Sequence, residues 1–241
     1  MTAARIWEIA CTARKQMFGR VIVEPVKVDD LIRRCRSFDV NGVLFTAIWD
    51  RTTTLADEGG HPALGLCDYD DDSPEQIMIS LNENLLEGMP QLAVSTAAHE
   101  IGHAVFDRPA DVHEGRMLVG VVVESGQKER QHRANPMVDS LAVAKNGNMD
   151  WAEFRANEFM GGFLVPPRLL HKRLFAYASD ARLPLVECPG HHGVFGLPVV
   201  QHITSAVTDL LAEQFGVGPQ FIGVRLAKYR LVANFHRYGD K

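Results

Sequence analysis

Ser95-Thr96-Ala97-Ala98-His99-Glu100-Ile101-Gly102-His103 is the stretch that decides how this chain is understood. Its last five residues have the form HExxH. Residues i and i+4 of a helix lie on one face, so both imidazoles can reach a single ion. Glu100 stands beside them without being a ligand. It is placed to take a proton from a water that zinc acidifies to a pKa near ~7, as that water attacks a polarised carbonyl. With ten histidines and 14 glutamates in 241 residues, the pattern arises by chance in roughly two per cent of such chains. The alternative is a pair of helical histidines that are merely packed or solvated. The surroundings narrow that alternative. Residues 91–106 have helical apolar spacing and no proline, with Gly102 the sole glycine, and Asp107-Arg108-Pro109 stops the helix. Residues 95–98 are small and allow close packing.

A catalytic zinc site takes three protein ligands and keeps an open fourth position. The best candidate for the third ligand is Glu153, in a helix expected over 151–164 and closed by Val165-Pro166-Pro167. Asn157 lies on the same face by i, i+4 spacing. It can hold a ligand imidazole in orientation through the other ring nitrogen. Taken alone, Glu153 reads rather as a solvated helix charge. Glu158, turned roughly 100° from Asn157, is expected to face solvent.

HEIGH at 99–103, followed some fifty residues later by a segment of the form E-x-x-A-N-x-F-x-x-x-x-L-x-P, resembles the ImmA/IrrE family of zinc metallopeptidases. A strand expected at 76–82, just ahead of the HExxH helix, is similar to the family's layout. Residues 211–226, with Phe215-Gly216-Val217 and Arg225-Leu226, resemble its C-terminal helical segment. The likeness runs from about residue 28 to 232, and the paired motifs are its specific part. It implies His99, His103 and Glu153 as ligands of Zn2+, Glu100 as general base, and cleavage of a regulatory protein, often a helix-turn-helix repressor encoded nearby. Four features depart from the family pattern: Ser95 to Ala98 ahead of the histidines, Met160-Gly161-Gly162 in place of small alanines, Arg155 where an acidic residue is common, and a longer, more charged segment from Asp107 to Asp150. They bear on substrate choice more than on the ligands.

The rest of the chain sets the frame. Hydrophobic residues make up 46% and charged residues 23%, which excludes a disordered or collagen-like chain. A net charge of −5 argues against coating nucleic acid by charge alone. The basic positions Arg225, Lys228, Arg230, His236 and Arg237 allow a nucleic-acid contact, but the overall acidity favours ordinary surface charges. Scattered cysteines (Cys11, Cys35, Cys67, Cys188), no secretory leader and no apolar run near ~20 residues point to a cytoplasmic protein with reduced thiols and no membrane span.

Strands are expected at 42–49, 63–67, 76–82 and 118–123, with a short helix from residue 28 and an exposed loop at 125–149. Further helices are expected at 168–178, 199–215 and 220–231, with a turn-rich link at 183–197. The fold class is therefore α+β: a small mixed or antiparallel sheet on a mainly helical, zincin-like core. Residues 1–180 are expected to form the metallopeptidase-like part, with 181–241 a helical C-terminal subdomain packed on it. Tyr177, His191 and His192 are candidates for stabilising the oxyanion or touching substrate if the link folds over the cleft. The alternative to an enzyme is a zinc-bearing regulatory module that binds a repressor or DNA without cutting.

Overall fold

The structure is a computed structural model, and it describes residues 1–19, 25–40, 43–56, 60–69, 73, 75–107, 130–133, 150–183, 185–187, 195–196 and 201–232. Contacts divide the chain into two units, Met1–Leu164 and Val165–Lys241.

The first unit begins with helix α1 (Ala3–Phe18). The Thr2 side chain accepts from the Arg5 N–H, and Gly19 closes the helix at φ 68°, a conformation that favours glycine. Ile6, Ala10, Ala13 and Phe18 form its buried face. A short helix, α2 (Val28–Arg34), carries Asp29 and Asp30 in its first turn and Arg33 and Arg34 in its last, each sign at the favourable end of the helix dipole. Strands β1 (Ser37–Val40), β2 (Val43–Asp50), β3 (Ala63–Asp68) and β4 (Gln76–Leu81) follow. Next come α3 (Glu83–Leu86) and α4 (Pro90–Phe106), then strand β5 (Arg130–Arg133) and helix α5 (Trp151–Leu164).

The sheet order is β1-β2-β4-β3-β5. Only β2 and β4 run parallel, and the other pairs are antiparallel. The sheet is thus mixed, because β4 returns between β2 and β3. The connection from β2 to β4 is a crossover that includes β3, as a parallel pair requires. Alternation along the strands aims Phe45, Ala47, Ile77 and Ile79 inward, while Leu44, Ile48 and Met78 stay exposed. Helix α4 packs on β3 and β4 on one side and on α5 on the other. Helix α1 covers α5 from beyond.

The second unit holds α6 (Pro167–Asp180), the antiparallel pair β6 (Val186–Glu187) and β7 (Phe195–Gly196), α7 (Gln201–Phe215) and α8 (Pro219–Lys228). Its core gathers Leu170, Leu174, Val207, Leu211, Phe215, Ile222 and Leu226. Tyr229 donates its hydroxyl hydrogen bond to the Val165 carbonyl at 3.0 Å.

The α+β class and the mixed sheet agree with the sequence. Among the described residues α1, β1 and α3 were not expected, nor was the short pair β6 and β7 inside the link at 183–197. The polar stretch read as a loop contributes β5 at four residues, and its remainder lies outside the described residues, as does the strand expected at 118–123. Arg225, read as a surface charge, is buried against the Phe221 ring. No helix among the described residues is long and apolar enough to cross a membrane.

Candidate metal centre

Helix α4 starts at Pro90, whose fixed φ and missing N–H suit a first helical position. From Ala93 to Val105 every residue is buried, because the helix lies between sheet and α5. This burial takes in His99, Glu100 and His103, with His99 1%, Glu100 0% and His103 3% exposed. The i, i+4 spacing does what the sequence predicts: the two Nε2 atoms face each other at 3.0 Å.

Helix α5 brings the third ligand candidate. The Asp150 side chain accepts from the backbone N–H of Ala152 (3.0 Å) and Glu153 (3.2 Å), an N-cap that fixes the turn carrying Glu153. Three residues on, Ala156 meets Gly102. A Cβ at Gly102 would lie 2.9 Å from the Ala156 Cα and 3.1 Å from its carbonyl oxygen. Only a glycine facing an alanine lets the two helices come this close. The glycine of HEIGH and the alanine of the E-x-x-A-N segment are thus two halves of one contact. That contact sets Glu153 Oε2 3.4 Å from His99 Nε2 and Oε1 3.3 Å from His103 Nε2. Glu153, 30% exposed, is the ligand candidate that opens toward solvent.

His103 is held from behind. Its Nδ1 lies 2.7 Å from Asp107 Oδ2, and Asp107 is itself buried. An ionised carboxylate only accepts, so Nδ1 carries the proton and Nε2 is turned to the cluster. Arg155 Nη2 donates to the other Asp107 oxygen at 2.7 Å. Burial opposes a charged His103 ring. The hydrogen bonds with Asp107 and Glu153, and the charges of Glu100 and Glu153, outweigh it and push the pKa up to about 10.

Do these residues fit a metal? The donor atoms of His99, His103 and Glu153 lie within 4.8 Å of one another. A tetrahedral ion with bonds of ~2.0–2.2 Å has ligand–ligand edges of roughly 3.3–3.6 Å. The separations of 3.0, 3.3 and 3.4 Å lie close to that range. Glu100, Asp107 and Glu153 together with Arg155 sum to two negative charges, which a divalent cation balances. The three residues form a candidate metal-ligand triad.

Glu100 turns the other way, toward β3. A Cβ at Gly65 would lie 2.7 Å from Glu100 Oε1 and 2.7 Å from Thr96 Cγ2. The absent side chain at Gly65 is what makes room for the Glu100 carboxylate beneath the strand.

Asn157 is half-buried on α5, one turn beyond Glu153. Tyr177 is half-buried on α6 in the second unit, and His191 and His192 lie outside the described residues. Glu158 corrects the sequence expectation. It is buried, not solvent-facing, and accepts a hydrogen bond from Trp7 Nε1 at 2.7 Å, because α1 covers that side of α5. Asp107 and Arg155 were missed as parts of the site. The available signal was spacing: Asp107 is i+4 from His103, so the HExxH face continues for another turn.

No family model matches the sequence, and no curated protein matches it. The geometry of the triad is therefore the ground on which a function is inferred.

Proposed function

We propose that the chain is a zinc-dependent endopeptidase of the ImmA/IrrE type, acting on a regulatory protein, a helix-turn-helix repressor. What carries this is a buried His99–His103 pair closed by Glu153, with Glu100 completely buried one residue from a ligand. A purely structural site needs no such second carboxylate. Two imidazoles and one carboxylate at tetrahedral spacing suit zinc.

His99, His103 and Glu153 would hold the ion, which when bound supplies the positive charge that acidifies water and polarises a carbonyl. Glu100 accepts the proton of the attacking water on a carboxylate oxygen and returns it to the leaving amine. Asp107 keeps the His103 Nδ1–H fixed, so its Nε2 stays directed at the centre, and Arg155 keeps Asp107 in place. The buried walls of α4 exclude bulk water around Glu100.

The test is incubation of the zinc-loaded protein with whichever helix-turn-helix repressor is found encoded beside its gene, alongside Glu100→Gln. Cleavage by the wild type, lost in Glu100→Gln with zinc retained, supports the proposal. Stoichiometric binding without a product supports a regulatory module instead. Cleavage that survives Glu100→Gln removes Glu100 from the mechanism.

A further inference from the structure

Thr96 is 1% exposed, and among the described residues its Oγ1 has no hydrogen-bond partner. A buried hydroxyl left this way is costly, so its presence asks for a reason. Thr96 precedes Glu100 by one helical turn and shares its face. The two side chains meet at one place in the fold, under β3. The point where a Gly65 Cβ would sit is 2.7 Å from Thr96 Cγ2 and 2.7 Å from Glu100 Oε1. The threonine methyl and the carboxylate oxygen are therefore no farther apart than twice that distance. Threonine in a helix divides between two rotamers. A turn about χ1 that exchanged methyl and hydroxyl would bring Oγ1 into the place the methyl holds, on the side of the carboxylate.

We propose that Thr96 is a positioning residue for Glu100: its hydroxyl, turned toward the carboxylate, donates a hydrogen bond that aims Glu100 during peptide hydrolysis. This rests on the peptidase function proposed above. Gly65 is part of the same device, since any side chain there would occupy the space the two groups share. The hydroxyl costs the resting fold a partnerless polar group and acts when Glu100 is aimed for reaction. Sites that work against local stability in this way are a recurring sign of function.

The test uses full-length Thr96→Val, which keeps the shape and removes the hydroxyl, and Thr96→Ser, which keeps the hydroxyl. Metal-free Thr96→Val melts about 2–4 °C above the wild type, because a buried partnerless polar group is gone. With zinc and the repressor, its kcat falls about tenfold at unchanged KM, the loss of one hydrogen bond, and Thr96→Ser restores the rate. A Thr96→Val protein that cleaves as fast as the wild type overturns the proposal and leaves the peptidase function standing. So does a Thr96→Ser protein that loses as much as Thr96→Val. If the wild type cuts nothing, the peptidase function falls, and melting of the zinc-loaded protein decides the contact. A drop in Thr96→Val that vanishes in a Glu100→Ala background supports the contact. A rise of the same size in both backgrounds overturns it.

Discussion

Gly102→Ala should loosen the molecule at the contact that assembles the centre. The added Cβ would lie 2.9 Å from the Ala156 Cα, 3.1 Å from its carbonyl oxygen and 3.3 Å from the Phe159 Cβ, where ordinary contact begins at 3.4 Å. Two of the three obstacles are backbone atoms, which cannot swing aside, so α4 and α5 must part by about 0.5 Å. Alanine gains about 1 kcal/mol of helix propensity over glycine, while overpacking of this kind costs about 1–3 kcal/mol. The net is a loss of up to roughly 2 kcal/mol. Glu153 travels with Ala156, so its separations of 3.4 and 3.3 Å from the two imidazoles open past the roughly 3.3–3.6 Å edge of a tetrahedral site. Zinc affinity should fall on the order of tenfold.

Urea melts of the metal-free protein read the first effect, and competition with a zinc chelator reads the second. Gly223→Ala is the matched control. Gly223 lies within α8 with nothing within 4 Å of its would-be Cβ, so the same substitution should stabilise by about 0.5–1 kcal/mol. If Gly102→Ala is stabilised as Gly223→Ala is, and binds zinc as tightly as the wild type, the close-approach account is wrong.

Other expectations follow from the same geometry. Asp107→Asn replaces none of the three ligand candidates, yet it should weaken zinc binding about 10–100-fold by releasing the His103 ring, and an unchanged chelator titration would count against that role. Folded His103 holds its proton up to about pH 10, above its unfolded value near ~6.5. Its contribution to metal-free stability is therefore complete below pH ~6.5 and lost as pH rises through about 10. Urea midpoints should decline over that window less steeply in His103→Gln. At pH 7 zinc must displace that proton, so about one proton should leave per zinc bound, measured with an indicator dye in weak buffer. Burial pushes the Cys35 thiol up to about 12, so Cys35 should resist alkylation at pH 8.5 in the native state and react in denaturant. Labelling at native conditions would contradict its burial.

What was legible in the sequence was periodic. His99 and His103 are paired by helix spacing, while Glu153 enters as a ligand through the resemblance of its segment to a family motif; the structure brings the three together because Gly102 and Ala156 are at helix spacing from them. β2 and β4 show as alternating or β-branched runs and β3 as a short apolar run, and their partners' order does not show, since pairing is a long-range choice. α1 is faint in the sequence because its buried face, Ile6, Ala10, Ala13, Arg14 and Phe18, has only two large apolar members. The same faintness hides the partner of Glu158. Glu158 can be placed only by knowing that Trp7, about 150 residues earlier, lies over it. Asp107 was read as the residue that stops a helix, and Arg155 as a departure from a family pattern. Each description is local. Their partnership, Arg155 on Asp107 on His103, exists only once α4 and α5 lie side by side.

The most direct test of the centre is zinc content after loading and desalting, measured by elemental analysis on the wild type and Glu153→Ala together. The His99–His103–Glu153 triad requires about one zinc per wild-type chain and a large loss in Glu153→Ala. A wild-type protein that keeps no zinc, or a Glu153→Ala protein that keeps as much as the wild type, would contradict it.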